Sequence, residues 1–278
     1  MSILVQVVCR GWRKAQSGLL ILAISFLAGC TAAAEPHPAV HLEMAGSTSM
    51  ESLLQELAGA YTDRFDYVST DIKARGTRLG LDALRGGEVD IALVSRDLAP
   101  DEQEGLEAVV IAYDAIAILV SDQNGVNSLT SGQVRDIFSG RILLWSEVGG
   151  EEADIQVLSR EDGSGTRDAF EAAIMGGDPV TSMAIVVPGS GAVGELVAAN
   201  PLAIGYSSSV GVPLGARALP LDGVEPGLEA VAQARYPLIR PFVLVTQKNP
   251  DQEVEAFVDF VLGPAGQVIV GKRFGRAT

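Results

Sequence analysis

Residues 159–170, SREDGSGTRDAF, place an arginine, acidic side chains, glycines and hydroxyls directly before a helical pattern. Arg160 can present a planar fork of N–H groups, which matches a tetrahedral oxyanion better than a lysine ammonium does. Ser164 and Thr166 add hydroxyl donors, and Gly165 between them lets a ligand approach the backbone closely. A hydroxyl at a helix start most often serves only as a cap. The concentration of donors in one short stretch nevertheless favours anion binding.

Three further predicted junctions between a strand and the segment after it carry similar donors. The runs VHLEMAG (40–46), DIKAR (71–75) and VDIALVS (89–95) favour strands. Ligands of open α/β sheets collect beyond the carboxyl ends of strands, so we expect these junctions to contribute to one site. Thr48 and Glu51 also match a capping box at the start of the first helix. The donors at these junctions are Thr48, Ser49, Thr77, Ser95 and Arg96.

The same residues do not predict an enzyme. The chain has two histidines, His37 and His41, and both lie near the predicted tether, so no Ser–His pair is expected within the fold. Asp162 stands where a G-x-S-x-G elbow needs glycine. Residues 266–272 spell G-x-x-x-x-G-K, but Arg273 follows where a phosphate loop needs Ser or Thr. No Cys/His cluster suggests a metal. The sequence therefore predicts no catalytic residue, cofactor or metal.

Residues 1–29 have the features of an export signal. Three basic residues precede an apolar run at 19–28, which is too short to span a bilayer. Small residues then lead to Cys30, a pattern that predicts a lipoprotein signal peptide and acylation of Cys30, for example by palmitate. An ordinary secretory signal with an incidental cysteine is the alternative. Residues 30–38 would form a short tether. Either reading predicts an exported protein, in the periplasm or on the cell surface.

The chain is acidic, with a formal net charge of −15. Removing the predicted signal peptide takes away three positive charges and no negative ones, which leaves −18. Nucleic acid and anionic membrane surfaces are poor partners for such a body. We therefore expect contact with a membrane through the lipid anchor only, and a monomer. Cys9 lies in the predicted signal peptide, so a disulfide framework is excluded.

Strand-like and helix-like patterns alternate along the chain, which favours an α/β fold. The apolar run at 106–121 predicts one or two strands, and PLAIGYSS (201–208) and IRPFVLVTQ (239–247) predict two more. A helical region over 253–274 should break near Gly263. Residues 30–278 are enough for one large domain or two ordinary ones.

Six segments form an ordered series along the chain: AGSTSM, GEVDIALVSRDL, LTSGQVRDIFSGRILLWSEVGG, REDGSGTRDAF, NPLAIGYSS and YPLIRPFVLVTQ. The series resembles the phosphate-binding proteins of bacterial and archaeal ABC importers (PstS-like). The resemblance covers most of the chain after residue 38. It implies an extracytoplasmic solute-binding protein that captures inorganic phosphate in a cleft between two lobes. It also implies delivery of phosphate to the membrane subunits of an ABC importer.

The resemblance further implies a two-lobed periplasmic-binding-protein-like fold of type II, with two hinge crossovers. By similarity, lobe 1 would comprise residues 39–119 plus 241–278, and lobe 2 would comprise residues 120–240. Carried over by position, Asp162 would orient Arg160. The ligand contacts would be Ser47, Thr48, Ser49, Thr77, Arg160, Ser164, Gly165 and Thr166.

One position departs from the pattern of some family members. They end the third strand with an aspartate that accepts a proton from phosphate, whereas this chain has Ser95 there. Other members have a Ser-Arg pair like Ser95 and Arg96, so both residues join the predicted site. A protonated phosphate needs an acceptor, whereas sulfate is repelled by one. The candidate acceptors are Asp162, Glu161, Asp97 and Asp114.

Three alternatives to phosphate capture stay open at the level of sequence. The protein could bind another oxyanion such as sulfate, arsenate or molybdate. It could be a phosphatase built on the same fold, which release of product from a chromogenic phosphate ester would reveal. It could also be a lipid-anchored interaction or adhesion protein that has kept the fold and lost the ligand.

Overall fold

The computed structural model describes residues 37–277. The predicted signal peptide, the acylation of Cys30 and most of the predicted tether therefore lie outside the described residues. From Ala39 onward the chain forms one compact unit, and the division into two lobes stays a prediction. Within the described range, every helix is too short or too polar to cross a membrane.

One mixed sheet organises the described part of the chain and confirms the α/β prediction. Its strand order is β2-β1-β3-β9-β4-β7-β5-β6, and β8 and β10 also pair with β4. Strand β1 pairs in parallel with β2 and β3, so the ends of these three strands face the same way. The strands are β1 (Val40–Gly46), β2 (Val68–Ala74), β3 (Ile91–Val94), β4 (Leu106–Ser121), β5 (Gln156–Arg160), β6 (Ile185–Val187), β7 (Ala203–Ser208), β8 (Ala216–Leu219), β9 (Ile239–Gln247) and β10 (Gly275–Arg276).

Helices connect the strands and cover the sheet. A short π-helical segment, Glu171–Met175, continues α4. The chain breaks at Gly263 between α7 and α8, as predicted. The α-helices are α1 (Glu51–Thr62), α2 (Thr77–Arg85), α3 (Ser131–Phe138), α4 (Gly165–Phe170), α5 (Ser190–Ala199), α6 (Leu228–Ala232), α7 (Gln252–Leu262) and α8 (Pro264–Val270).

Strand β4 is a single strand of 16 residues rather than two. Its first part, from Leu106 to Ala115, pairs with β9. Its last part, from Ile116 to Ser121, pairs with β7 and β8. One large apolar cluster includes Met44, Leu54 and Phe257, and another includes Phe138, Phe170 and Tyr206. Strand β4 contributes residues to both clusters, so it links the two halves of the core.

Two glycines allow close packing of β1, β3 and α2 at the strand ends. A Cβ at Gly80, in α2, would overlap the carbonyl oxygen of Ala45 and lie 2.6 Å from the Cα of Gly46. Gly46 has a φ of +144°, and a Cβ there would overlap the carbonyl oxygen of Leu93. The absence of side chains therefore lets α2 lie directly on the end of β1, next to β3.

We predict that Gly80→Ala destabilises the protein by about 1–3 kcal/mol, because the added methyl group must push α2 away from β1. Gly59→Ala is the matched control, since Gly59 lies in α1 and a Cβ there meets nothing within 4 Å. The control should be neutral or more stable by up to about 1 kcal/mol. Urea unfolding checks both variants, and equal effects would contradict the close packing.

Candidate functional site

Four junctions meet at one place, and together they carry seven hydroxyl side chains, a set that we call the hydroxyl cluster. The hydroxyl of Ser47 donates to Ser95 over 2.8 Å, and the Oγ of Ser49 lies 3.0 Å from the Oγ1 of Thr166. The structure thus brings together junctions that are far apart in sequence. The cluster comprises Ser47, Thr48, Ser49, Thr77, Ser95, Ser164 and Thr166, of which all but Thr48 are buried.

Thr48 does not form the predicted capping box. Helix α1 begins two residues later than a cap at Thr48 requires, with Met50 as its N-cap and no side-chain cap. The Oγ1 of Thr48 instead accepts a hydrogen bond from the backbone N–H of Ser190 over 3.0 Å. The prediction was wrong because the chain turns further before it becomes helical, and this leaves Thr48 in the hydroxyl cluster.

Gly165 lies against the hydroxyls of Thr77 and Ser95, which follow the second and third strands. A Cβ at this position would overlap the Oγ1 of Thr77 and lie 2.6 Å from the Oγ of Ser95. The start of α4 can therefore touch these hydroxyls only because residue 165 has no side chain. Arg78 adds a backbone contact, since its N–H donates to the carbonyl oxygen of Gly163 over 3.1 Å.

Arg160, the last residue of β5, is 1% exposed. Its Nε and Nη2 each donate to the carboxylate of Glu161 over 2.8 Å, and Nη2 also lies 3.3 Å from the Oγ1 of Thr48. Its Nη1 has no hydrogen-bond partner. Within residues 37–277, it is the one buried side-chain nitrogen or oxygen that lacks such a partner. A buried cation with a free N–H group is suited to an anionic oxygen.

Glu161, and not Asp162, orients Arg160. The carboxylate of Asp162 accepts from the Nη1 of Arg167 over 2.6 Å, and its side chain is 80% exposed. The predicted role of Asp162 is therefore corrected, because the turn at Gly163 directs this side chain to solvent. Burial tends to raise the pKa of Glu161, but the hydrogen bonds and charge of Arg160 hold it below its ordinary value. Glu161 therefore faces Arg160 as a carboxylate at neutral pH.

The hydroxyl cluster is arranged to donate. Thr48 accepts from the N–H of Ser190, Thr77 from that of Ser95 at 3.4 Å, and Ser164 from that of Arg167 at 3.4 Å. A hydroxyl has one hydrogen, and a hydroxyl that accepts from an N–H keeps that hydrogen to donate. The cluster therefore suits a ligand made of acceptor oxygens.

Two further hydroxyls adjoin the cluster, and the sequence interpretation missed them. The Oγ of Ser190 accepts from Ser49 over 3.1 Å and lies 2.9 Å from the Oγ of Ser207. Ser190 is the first residue of α5 and follows a glycine with a φ of +82°. The segment PGSGAVGE around it combines glycines with a hydroxyl before a helix, as DGSGT does, and this signal could have identified it.

Arg96 lies outside the hydroxyl cluster. Its Nη1 and Nη2 donate to Glu102 over 2.6 and 2.8 Å, and its Nε donates to Asp168 over 2.8 Å. The guanidinium is therefore occupied by two carboxylates. Because Asp168 lies in α4, Arg96 ties the loop after β3 to the helix that carries Thr166.

The candidate proton acceptors differ in their surroundings. Asp97 and Asp162 are exposed. Asp114 is buried and accepts from Arg240 at Nε (3.0 Å) and Nη2 (2.8 Å), and from the hydroxyl of Ser208 (2.8 Å). Burial raises the pKa of Asp114, and the charge of Arg240 opposes that shift. Both oxygens of Asp114 are thus engaged within the protein.

Aromatic side chains support the strand that carries Arg160. The hydroxyl of Tyr206 accepts from the backbone N–H of Arg160 over 3.2 Å. The rings of Tyr206 and Phe170 stack with centroids 4.1 Å apart. Strand β5 and helix α4 are therefore fixed against β7. Among residues 37–277, no group of His, Cys, Asp and Glu side chains is arranged to hold a metal ion.

Comparisons with known proteins agree with the fold. The sequence model of a family described as PBP superfamily domain matches residues 31–265, which is most of the chain. A phosphate-binding protein PstS from Bacillus subtilis is 30% identical over 204 residues, 71% of this chain and 67% of the relative. A PstS from Borreliella burgdorferi is 27% identical over 242 residues, 82% of this chain and 87% of the relative.

A solved structure gives the same result. A protein from Clostridium perfringens, assigned as a phosphate ABC transporter substrate-binding protein and solved with bound phosphate, is 37% identical. The match covers 86% of this chain and 100% of that protein, with a TM-score of 0.83. The chain therefore belongs to the PBP superfamily and, within it, to the PstS-like phosphate-binding proteins.

We predict that the ion pair between Arg96 and Glu102 stabilises the fold in a pH-dependent way. Hydrogen bonds from Arg96 lower the pKa of Glu102 below its ordinary 4.5. A lowered pKa contributes stability that is present above pH 4.5 and is lost as the pH falls through the folded-state value.

When the pH falls from about 7 to about 3.5, the Glu102→Gln variant should therefore lose less stability than wild type. Urea unfolding at the two pH values measures the difference, and Glu104→Gln, an exposed neighbour, is the control. If the free energy of unfolding of Glu102→Gln changed with pH as that of wild type does, the Arg96–Glu102 pair would not contribute to the pH dependence.

Proposed function

We propose that this protein captures inorganic phosphate outside the cytoplasm and delivers it to the membrane subunits of an ABC importer. The observation that carries the proposal is the unpaired Nη1 of buried Arg160, beside hydroxyls that keep their hydrogens to donate. Two relatives are named phosphate-binding protein PstS, and a 37% identical structure contains phosphate. The proposed activity is binding and not catalysis, since these relatives are named as binding proteins.

Phosphate fits this set of donors on chemical grounds. It has four oxygens around a tetrahedral centre, and a dianion offers acceptor sites on all of them. Preformed donors inside a fold bind such an anion without first having to be ordered. The residues that we propose to contact phosphate are Ser47, Thr48, Ser49, Thr77, Ser95, Arg160, Ser164, Gly165 and Thr166.

Arg96 and Asp162 take supporting roles in this proposal. Arg96 holds the loop after β3 against α4 through Asp168. Asp162 holds Arg167, whose Nη1 also donates to the backbone carbonyl of Arg160 over 3.1 Å. All three nitrogens of Arg96 already donate to neighbouring groups, and Asp162 offers acceptor oxygens where phosphate needs donors, so both would act through their neighbours.

We also propose that phosphate is bound by closure of two lobes, residues 39–119 plus 241–278 and residues 120–240. Contacts across this division support the idea: Arg160 with Thr48, and Ser49 with Thr166. A ligand that bonds donors from both lobes is bound best when they approach, so it shifts the population to the closed form. An importer could recognise that form.

For the location of the protein, we propose export and attachment to a membrane through acylated Cys30. The basic, apolar and small-residue pattern of residues 1–29 supports this proposal. The mature protein would act as a monomer, held near the importer by its lipid and a short tether.

The first prediction concerns the ligand. Titration calorimetry of residues 39–278 should detect one site for phosphate, with weaker or no binding of sulfate and molybdate. Arsenate, which has the shape and protonation of phosphate, should compete. Tighter binding of sulfate than of phosphate would redirect the proposal to another oxyanion. Absence of binding by every one of these anions would refute it.

Arg160→Ala should weaken phosphate binding by about a hundredfold or more, because it removes the charged partner of a buried anion, worth about 2–5 kcal/mol. Arg141→Ala is the matched control, since Arg141 is exposed and pairs with Asp136 and Asp178. Calorimetry measures both variants after circular dichroism has shown that they fold. An equal loss in the two variants would mean that Arg160 has no special role.

A pair of neighbouring variants tests how Arg160 is oriented. Glu161→Gln should weaken phosphate binding by about tenfold, the loss typical of a partner that orients a ligating group. Asp162→Asn should stay within about twofold of wild type, because its carboxylate contacts Arg167. The reverse order, with Asp162→Asn the weaker binder, would restore the role that the sequence suggested for Asp162.

Phosphate should also make the protein more compact if the lobes close upon it. Small-angle scattering of residues 39–278 should show a smaller radius of gyration with saturating phosphate. The double variant Ser164→Ala with Thr166→Ala removes donors from one proposed lobe, so it should remain at the ligand-free value. An unchanged radius for wild type under saturating phosphate would contradict closure.

A further inference from the structure

Arg240 forms a buried ion pair that no sequence motif indicated. It lies in β9 directly opposite Asp114 in β4, and both residues are 1% exposed. The Oδ2 of Asp114 accepts from the Nε of Arg240 over 3.0 Å and from its Nη2 over 2.8 Å. The Oδ1 accepts from Ser208 in β7. This pair therefore joins three neighbouring strands at the centre of the sheet.

The remaining terminal nitrogen of Arg240 reaches the hydroxyl cluster. Its Nη1 donates to the Oγ1 of Thr166 over 2.6 Å. The ion pair with Asp114 uses only Nε and Nη2, so it does not require this third contact. The contact therefore connects the strand pair β4 and β9 with one hydroxyl of the cluster.

This hydrogen bond fixes the role of the Thr166 hydroxyl. A threonine hydroxyl that accepts from a guanidinium keeps its single hydrogen for another group. Ser49, 3.0 Å away, directs its own hydrogen to Ser190, so Thr166 donates towards Ser49. In the presence of an oxyanion between them, the same hydrogen is available to an anionic oxygen.

Arg240 also places a second buried cation near Arg160. Burial lowers the pKa of Arg240, Asp114 opposes that shift, and the positive charge of Arg160 adds to it. Each cation has one carboxylate partner, Glu161 for Arg160 and Asp114 for Arg240. Because Asp114 balances the charge of Arg240, the hydrogen bond to Thr166 is the route by which Arg240 would act on an anion in the hydroxyl cluster.

We propose that Arg240 is a positioning residue for the phosphate site. It orients the Thr166 hydroxyl as a donor to phosphate and ties the start of α4, which carries Thr166, to the strands β4 and β9. Asp114 acts with it by holding the guanidinium in place. This inference rests on the proposed function, phosphate binding by the hydroxyl cluster.

A double-mutant cycle for phosphate affinity tests the proposal. Replacing Arg240 alone would leave the Asp114 charge buried without a partner, so Asp114→Asn and Arg240→Gln are combined as a neutral pair. The cycle also includes Thr166→Val and the triple variant, which combines this substitution with the neutral pair. Calorimetry with inorganic phosphate gives the affinities, and urea unfolding reports the stability of each variant.

We expect Thr166→Val and the neutral pair each to weaken phosphate binding by about tenfold to a hundredfold, as for a hydrogen bond to a charged group. The triple variant should be within about threefold of Thr166→Val, because Arg240 acts through Thr166. If the Asp114–Arg240 pair were merely structural, the neutral pair would lower the stability of the protein. Its effect on phosphate affinity would then add to that of Thr166→Val. Additive losses, or wild-type affinity in the neutral pair, would overturn the proposal.

Two controls separate the possible failures. Glu56→Gln with Arg273→Gln removes an exposed ion pair and should leave phosphate affinity unchanged. If the neutral pair does not fold, Arg240→Lys takes its place in the cycle, since one ammonium cannot serve both Asp114 and Thr166. Lack of phosphate binding by wild type would refute the proposed function, whereas additivity with wild-type binding intact would refute this inference alone.

Discussion

The site depends on one buried guanidinium that the protein satisfies only in part. Glu161 engages two nitrogens of Arg160, and the third has no partner. Leaving a buried donor unpaired costs about 1–3 kcal/mol. The fold nevertheless holds Arg160 in this position, because Tyr206 binds its backbone and stacks on Phe170. An anionic oxygen would supply the missing hydrogen bond, so the unpaired N–H group of Arg160 favours an anionic ligand.

The surrounding hydroxyls follow the same logic. Backbone N–H groups and guanidinium groups donate to several of them, which leaves their hydrogens for another acceptor. This arrangement of hydroxyl donors requires the strand ends and α4 to lie very close together. Gly80 and Gly165 permit that approach, since a methyl group at either position would collide with its neighbours. The backbone packing and the chemistry of the site therefore depend on each other.

Much of this arrangement could be predicted from the sequence, and the limits have physical reasons. Strand periodicity and the hydroxyls at strand ends indicated an α/β fold with donors at its junctions, because those signals are local. The exchange between Glu161 and Asp162 depends on which of two adjacent carboxylates faces Arg160, and a sequence pattern does not reveal that. Arg240 was missed because its partners, Asp114 and Thr166, are 126 and 74 residues away. Ser190 showed a weak local signal, and only tertiary structure brings it to Thr48.

The central claim is that Arg160 Nη1 and the hydroxyl cluster together bind one phosphate. A crystal structure of residues 39–278 grown with phosphate tests this claim most directly. The account predicts one phosphate with an oxygen within hydrogen-bond distance of Nη1 and of hydroxyls from at least two of the four junctions. A phosphate bound elsewhere in the protein would contradict the account. A structure with bound phosphate in which Nη1 stays unpaired would also contradict it.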